Sequence, residues 1–60
     1  MKQLETWDGR RTVKLWIVKT NKGIKRTWKA TEAEVRNAAT PLGLRIMAIR
    51  AGTERDALVA

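Results

Sequence analysis

Eight lysine and arginine side chains fall between Arg10 and Lys29: Arg10, Arg11, Lys14, Lys19, Lys22, Lys25, Arg26 and Lys29. The same stretch contains no Asp or Glu and holds two of the three tryptophans, Trp16 and Trp28, with Trp7 just ahead of it. Cations on this density attract a polyanion by releasing its condensed counterions, and indole rings stack on bases or pack against sugars. The chemistry these types and spacings point to is capture of nucleic acid, with Trp7, Arg10, Arg11, Lys14, Trp16, Lys19, Lys22, Lys25, Arg26, Trp28 and Lys29 as candidate binding residues.

Catalytic chemistry lacks its parts. Histidine, cysteine, serine and tyrosine are all absent, which removes the common nucleophiles and the usual general base. The six carboxylates (Glu5, Asp8, Glu32, Glu34, Glu54, Asp56) are spread along the chain, and none forms an evident pair tuned for acid and base work. We expect no enzyme, no cofactor and no metal site.

Sixty residues with a net charge of +7 make one small domain. A chain of that size buries only about 60% of its unfolded surface, so a compact sheet-plus-helix core or a homodimer is expected to supply stability where disulfides and metals do not. No signal-like segment and no bilayer-length apolar run is present, so the reading is a cytoplasmic protein, nucleoid-associated in a bacterium or phage. A basic amphipathic helix, which membrane-surface binding needs, is missing, because the charge sits in strand-like segments.

The elements that must position these side chains read as follows. Lys2 to Trp7 runs into Asp8-Gly9, a dipeptide that favours a tight hairpin. Thr12 to Thr20 is rich in β-branched and aromatic residues and reads as the central strand. Asn21-Lys22-Gly23 supplies a second turn, and Ile24 to Lys29 a third strand. Thr31-Glu32-Ala33-Glu34 is a capping box, and Val35, Ala38, Ala39 and Leu42 form one apolar helical stripe that Pro41 and Gly43 bring to an end between Thr40 and Leu42. Leu44 to Ala51 alternates imperfectly, like a strand buried on much of both sides. Gly52 to Ala60, despite a cap signal at Thr53, has too few apolar residues to hold a helix unaided. The fold class is α+β: a three-stranded antiparallel sheet, one packed helix and a fourth strand, in the order β-β-β-α-β. Residues 1–52 form the domain and 53–60 a flexible or partner-dependent tail.

Hairpin register decides where the rings point. A two-residue loop at Asp8-Gly9 sets Trp7 opposite Arg10 and Leu4 opposite Val13, and gathers Leu4, Val13, Leu15 and Ile17 on the face expected under the helix. A three-residue loop at Asn21 to Gly23 pairs Trp16 with Trp28, and all three indoles then share the uncovered face with Arg10, Lys14 and Arg26. A loop one residue shorter sends Trp28 through to the core face, since a single step inverts every side chain beyond it.

The element order resembles that of two groups of DNA-binding domains, those of plant ethylene-responsive factors and the arm-site domains of some tyrosine recombinases. Both lay a three-stranded sheet in the major groove. The resemblance is one of layout without signature residues; it implies a DNA-reading sheet and no family membership. Double-stranded DNA is the favoured partner, ahead of single-stranded DNA or RNA. The alternative is a small inhibitor or adaptor that grips an acidic protein surface.

Overall fold

A computed structural model describes residues 2–58. The chain runs β1 (Glu5–Trp7), β2 (Thr12–Thr20), β3 (Gly23–Lys29), α1 (Glu32–Ala39), a 3-10 turn (Thr40–Leu42), β4 (Ile46–Ala51) and α2 (Glu54–Leu58). This is the expected α+β order of an antiparallel sheet with a helix before its last strand, with one further helix. The expected tail contains α2, while Val59 and Ala60 lie outside the described residues.

β1, β3 and β4 each pair with β2. Its one edge takes β3 along its length, from Lys14 opposite Lys29 to Thr20 opposite Gly23. Its other edge is shared end to end: β4 pairs with Trp16 to Thr20 and β1 with Thr12 to Lys14, both antiparallel. Gly52 is the junction. Its N–H donates to the Leu15 carbonyl (2.8 Å) and its carbonyl accepts from Leu4 N–H (2.8 Å), while Leu15 N–H donates to the Leu4 carbonyl (2.9 Å). A side chain there has no room, because a Cβ on Gly52 would lie 2.5 Å from Leu15 Cγ.

The first hairpin differs from the tight Asp8-Gly9 turn expected of it. Asp8 Oδ1 accepts from the N–H groups of both Arg10 and Arg11 (3.0 Å each), and Asp8 N–H donates to the Arg11 carbonyl (3.1 Å). A short acidic side chain that satisfies two backbone donors stabilises a wider loop. Trp7 therefore faces Thr12 rather than Arg10, and Thr6, not Leu4, faces Val13. The change is two residues, so each side chain keeps its expected face.

The second hairpin has the one-residue difference that matters. Its loop is Asn21-Lys22, with Thr20 opposite Gly23, whose φ of +113° a side chain would resist. The buried Thr20 hydroxyl fixes this turn by accepting from Lys22 N–H (3.1 Å) and donating to the Gly23 carbonyl (2.8 Å). Trp28 consequently pairs with Leu15, not Trp16, and leaves the face of the other two rings.

α1 starts as expected, with Glu34 N–H donating to Thr31 Oγ1 (3.3 Å), though the Glu34 carboxylate reaches back to Ala30 N–H (3.1 Å). The 3-10 turn carries Pro41 and ends at Gly43 with φ +68°. The helix does not cover Leu4, Val13, Leu15 and Ile17. It lies on the opposite face, where Val35, Ala38 and Leu42 border an apolar cleft of ≈180 Å³ with Val18, Thr20 and Thr27. The reason is lateral: Ile17 is flanked across the strands by Arg26 and Arg50, whereas Val18 and Thr20 have Ile49 and Ile46 beside them. Ile46 and Ile49 share a face despite their spacing of three because β4 bulges at Met47, between the Lys19–Ala48 and Thr20–Ile46 pairs. The imperfect alternation of this strand, read as burial on both sides, is this bulge in an edge strand.

The face of Leu15 and Ile17 is covered instead by α2. Asp56 holds its start by accepting from Thr53 N–H (2.8 Å) and Thr53 Oγ1 (3.2 Å), and Leu15, Arg26, Trp28 and Ala57 line one hollow between helix and sheet. Two helices thus sandwich the sheet, and Leu15, at 1% exposure, is its most deeply buried side chain.

Candidate nucleic-acid interface

The single aromatic and basic face does not exist. Trp7 (65% exposed) and the half-buried Trp16 share the α1 side of the sheet, and Trp28 (39% exposed) lies on the α2 side. Trp16 is built into the structure: its Nε1 donates to the Lys29 carbonyl at 2.9 Å, which satisfies the polar atom of a half-buried ring. A stacking platform of three indoles is thereby lost.

The eight candidate cations divide into three groups. Arg10 and Arg11 belong to the β1–β2 loop, where Arg11 makes a two-pronged pair with Glu34 at 2.5 and 2.9 Å. That pair, with the Ala30 N–H, holds the Glu34 carboxyl below its ordinary pKa and raises that of Arg11; the two backbone N–H bonds to Asp8 lower its pKa in the same way. Lys14 and Lys29 pair across strands, half-buried, on the α1 side with Glu5 next to Lys14. The third group, Lys19, Lys22, Lys25 and Arg26, occupies the upper half of the β2–β3 hairpin: Lys22 at the tip, Lys25 beside the α1 cleft, Lys19 and Arg26 on the α2 side.

Tertiary structure adds a cation that the sequence reading missed. Asn21 N–H donates to the Arg45 carbonyl (3.1 Å) and Arg45 N–H donates to Asn21 Oδ1 (2.9 Å). These two bonds tie the α1–β4 connection to the hairpin tip and put the Arg45 backbone against Asn21, the residue before Lys22. The only trace of this in the sequence is Asn21, an amide able to serve a neighbouring backbone from a turn.

The carboxylates lie elsewhere. Glu5 is opposite Lys14, Asp8 is in the loop at the far end of β2, Glu32 and Glu34 are in the first turn of α1, and Glu54 and Asp56 follow the Gly52 junction. Among the described residues the ion pairs are Arg11–Glu34, Arg36–Glu32 and Arg50–Asp56, so Lys19, Lys22, Lys25 and Arg45 meet no carboxylate. One end of the sheet is therefore cationic and free of acids, with the exposed Ile24 and Leu42 among the charges.

No group of His, Cys, Asp or Glu among the described residues is arranged to hold a metal, and no helix there is long and apolar enough to cross a membrane. Comparison with protein-family models, curated proteins and solved structures finds no match.

Proposed function

We propose that this chain binds nucleic acid, double-stranded DNA before other forms, through the acid-free end of its sheet. Lys19, Lys22, Lys25 and Arg45 are the residues that neutralise phosphates, with Arg26 next to them on β3. The observation that carries the reading is the separation of charge. Four exposed cations, Lys19, Lys22 and Lys25 on the β2–β3 hairpin and Arg45 on the connection tied to it, meet no carboxylate among the described residues, and Thr20 and Asn21 brace the hairpin tip. Cations held near one another repel, and a polyanion relieves that repulsion while releasing its own counterions. Duplex is preferred because dispersal of the indoles removes the stacking surface that single strands use, whereas phosphate contacts need only fixed cations.

The test is the salt dependence of binding to a random duplex. Lys22→Ala with Arg45→Ala should lower the slope of log K against log salt by about 1.8, two contacts at about 0.9 each, while Lys2→Ala with Arg36→Ala, which removes the same charge elsewhere, leaves it nearly unchanged. Equal slopes for the two double variants would remove the hairpin end from the interface. Failure of the parent chain to bind duplex at about 50 mM salt, where non-specific affinity is easiest to see, would turn the assignment toward an acidic protein surface.

A further inference from the structure

α2 is held on the sheet by an arrangement of charge that resembles the recognition of a phosphate. Arg50 donates from Nη1 and Nη2 to the two carboxylate oxygens of Asp56, at 3.0 and 2.7 Å. Arg26 donates from Nη1 to the carbonyls of Asp56 (3.1 Å) and Ala57 (3.4 Å), at the negative end of the helix. Apolar burial adds little: α2 has five residues, none of them buried, and Leu58 is 78% exposed. A helix that short has no stability of its own in water. Its place on the sheet depends on Arg26, Arg50 and the Asp56 cap.

Those two arginines form a row. Both pair with Ile17, Arg26 from β3 and Arg50 from β4, so they rise from one face of the sheet on either side of it, two strand spacings or about 10 Å apart across the sheet. Lys19 is on the same face one row nearer the hairpin tip, about 7 Å along β2. This row continues the acid-free end onto the face that α2 covers. A guanidinium takes a carboxylate or a phosphate through the same two-pronged geometry, and a nucleic-acid backbone offers many phosphates where α2 offers one carboxylate and two carbonyls.

We propose that Arg26 and Arg50, with Lys19, are a second phosphate-binding row for the nucleic-acid backbone, and that α2 occupies it in the unbound protein with Asp56 in place of a phosphate. Duplex binding then displaces α2 and opens the Leu15–Trp28 face toward the DNA. The inference rests on the reading of the hairpin end as a nucleic-acid surface and adds to it a site and a built-in competitor.

The test compares Asp56→Asn with Glu54→Gln in the whole chain, using a random duplex at fixed salt. Both variants remove one negative charge from α2, but the Glu54 carboxylate makes no hydrogen bond or ion pair among the described residues. If α2 competes with phosphate, Asp56→Asn should bind more tightly than Glu54→Gln by at least about fivefold, the low end of coupling between linked sites. In the parent chain, the ¹³Cα shifts of Glu54 to Leu58 should move from helical to coil values as duplex saturates. Equal affinities for the two variants, or helical α2 shifts in the saturated complex, would overturn the competitor while leaving the hairpin end intact. Absence of binding by parent and variants alike would retire the nucleic-acid reading and this inference together. If Asp56→Asn does not fold, the parent ¹³Cα titration decides alone.

Discussion

Replacing Gly52 by alanine should destabilise the fold by driving a methyl group into Leu15. The added Cβ would lie 2.5 Å from Leu15 Cγ, 2.8 Å from Cδ2 and 3.1 Å from Cβ, against an ordinary carbon separation of about 3.5 to 4.0 Å. Leu15 is 1% exposed, and the crowding reaches its Cβ, which no side-chain rotation moves. Backbone retreat is opposed as well, since Gly52 holds Leu15 and Leu4 by bonds of 2.8 Å each and so joins β4 to β1 along one edge of β2. Overpacking of this kind costs about 1 to 3 kcal/mol. A core this small supplies only about 3 to 5 kcal/mol in all, and each kcal/mol moves the midpoint of a domain this size by about 4 to 8 °C. Thermal unfolding followed by far-ultraviolet circular dichroism should therefore show a fall of about 5 to 20 °C for Gly52→Ala. Leu15→Ala should cost about 2 to 5 kcal/mol alone, and the double variant less than the sum, because the smaller side chain admits the new methyl. An unchanged midpoint for Gly52→Ala, or strict additivity in the double variant, would refute the junction as drawn.

Asp8, Glu34 and Asp56 all titrate below their ordinary values, Asp8 through two backbone N–H bonds, Glu34 chiefly through Arg11 and Asp56 chiefly through Arg50. A carboxyl whose folded pKa is depressed lends stability that is complete above its unfolded value, about 4, and lost as pH falls through the folded value. The melting midpoint should thus drop between pH 6 and pH 2.5, and Glu34→Gln should shrink that drop; an equal drop in the variant would exclude Glu34 as a contributor. Thr20→Val removes the hydroxyl that braces the second hairpin and should cost about 1 kcal/mol, with the amide shifts of Lys22 and Gly23 moving most. In chains that keep one tryptophan each, iodide quenching should fall in the order Trp7, Trp28, Trp16, and a Trp16 as accessible as Trp7 would contradict its hydrogen bond to Lys29.

Local chemistry was enough to place the elements up to β4, though not α2, which falls in the expected tail. The β-branched run of β2, the glycine-bearing turns, the Thr31 cap and the Pro41–Gly43 stop each act within a few residues of themselves, so the β-β-β-α-β order and the basic character of the hairpin were legible in the sequence. Within one strand, parity is also local, and Leu15 and Ile17 share a face in any register. What reaches between strands was not fixed in this way. The Thr20 hydroxyl closed the second loop one residue early, and the period of two carried Trp28 to the opposite side and dissolved the expected indole cluster. The face that α1 covers depended on Arg26, set beside Ile17 by the hairpin register, and on Arg50, Ile46 and Ile49, neighbours known only once β4 is seen to pair with β2 rather than extend the sheet elsewhere. Arg45 joined the hairpin tip through Asn21, and α2 settled on Arg26 and Arg50, by contacts that span more than twenty residues in the first case and about thirty in the longest of the second. Such pairings are selected by the shape and charge of the assembled sheet, which no short window of sequence contains.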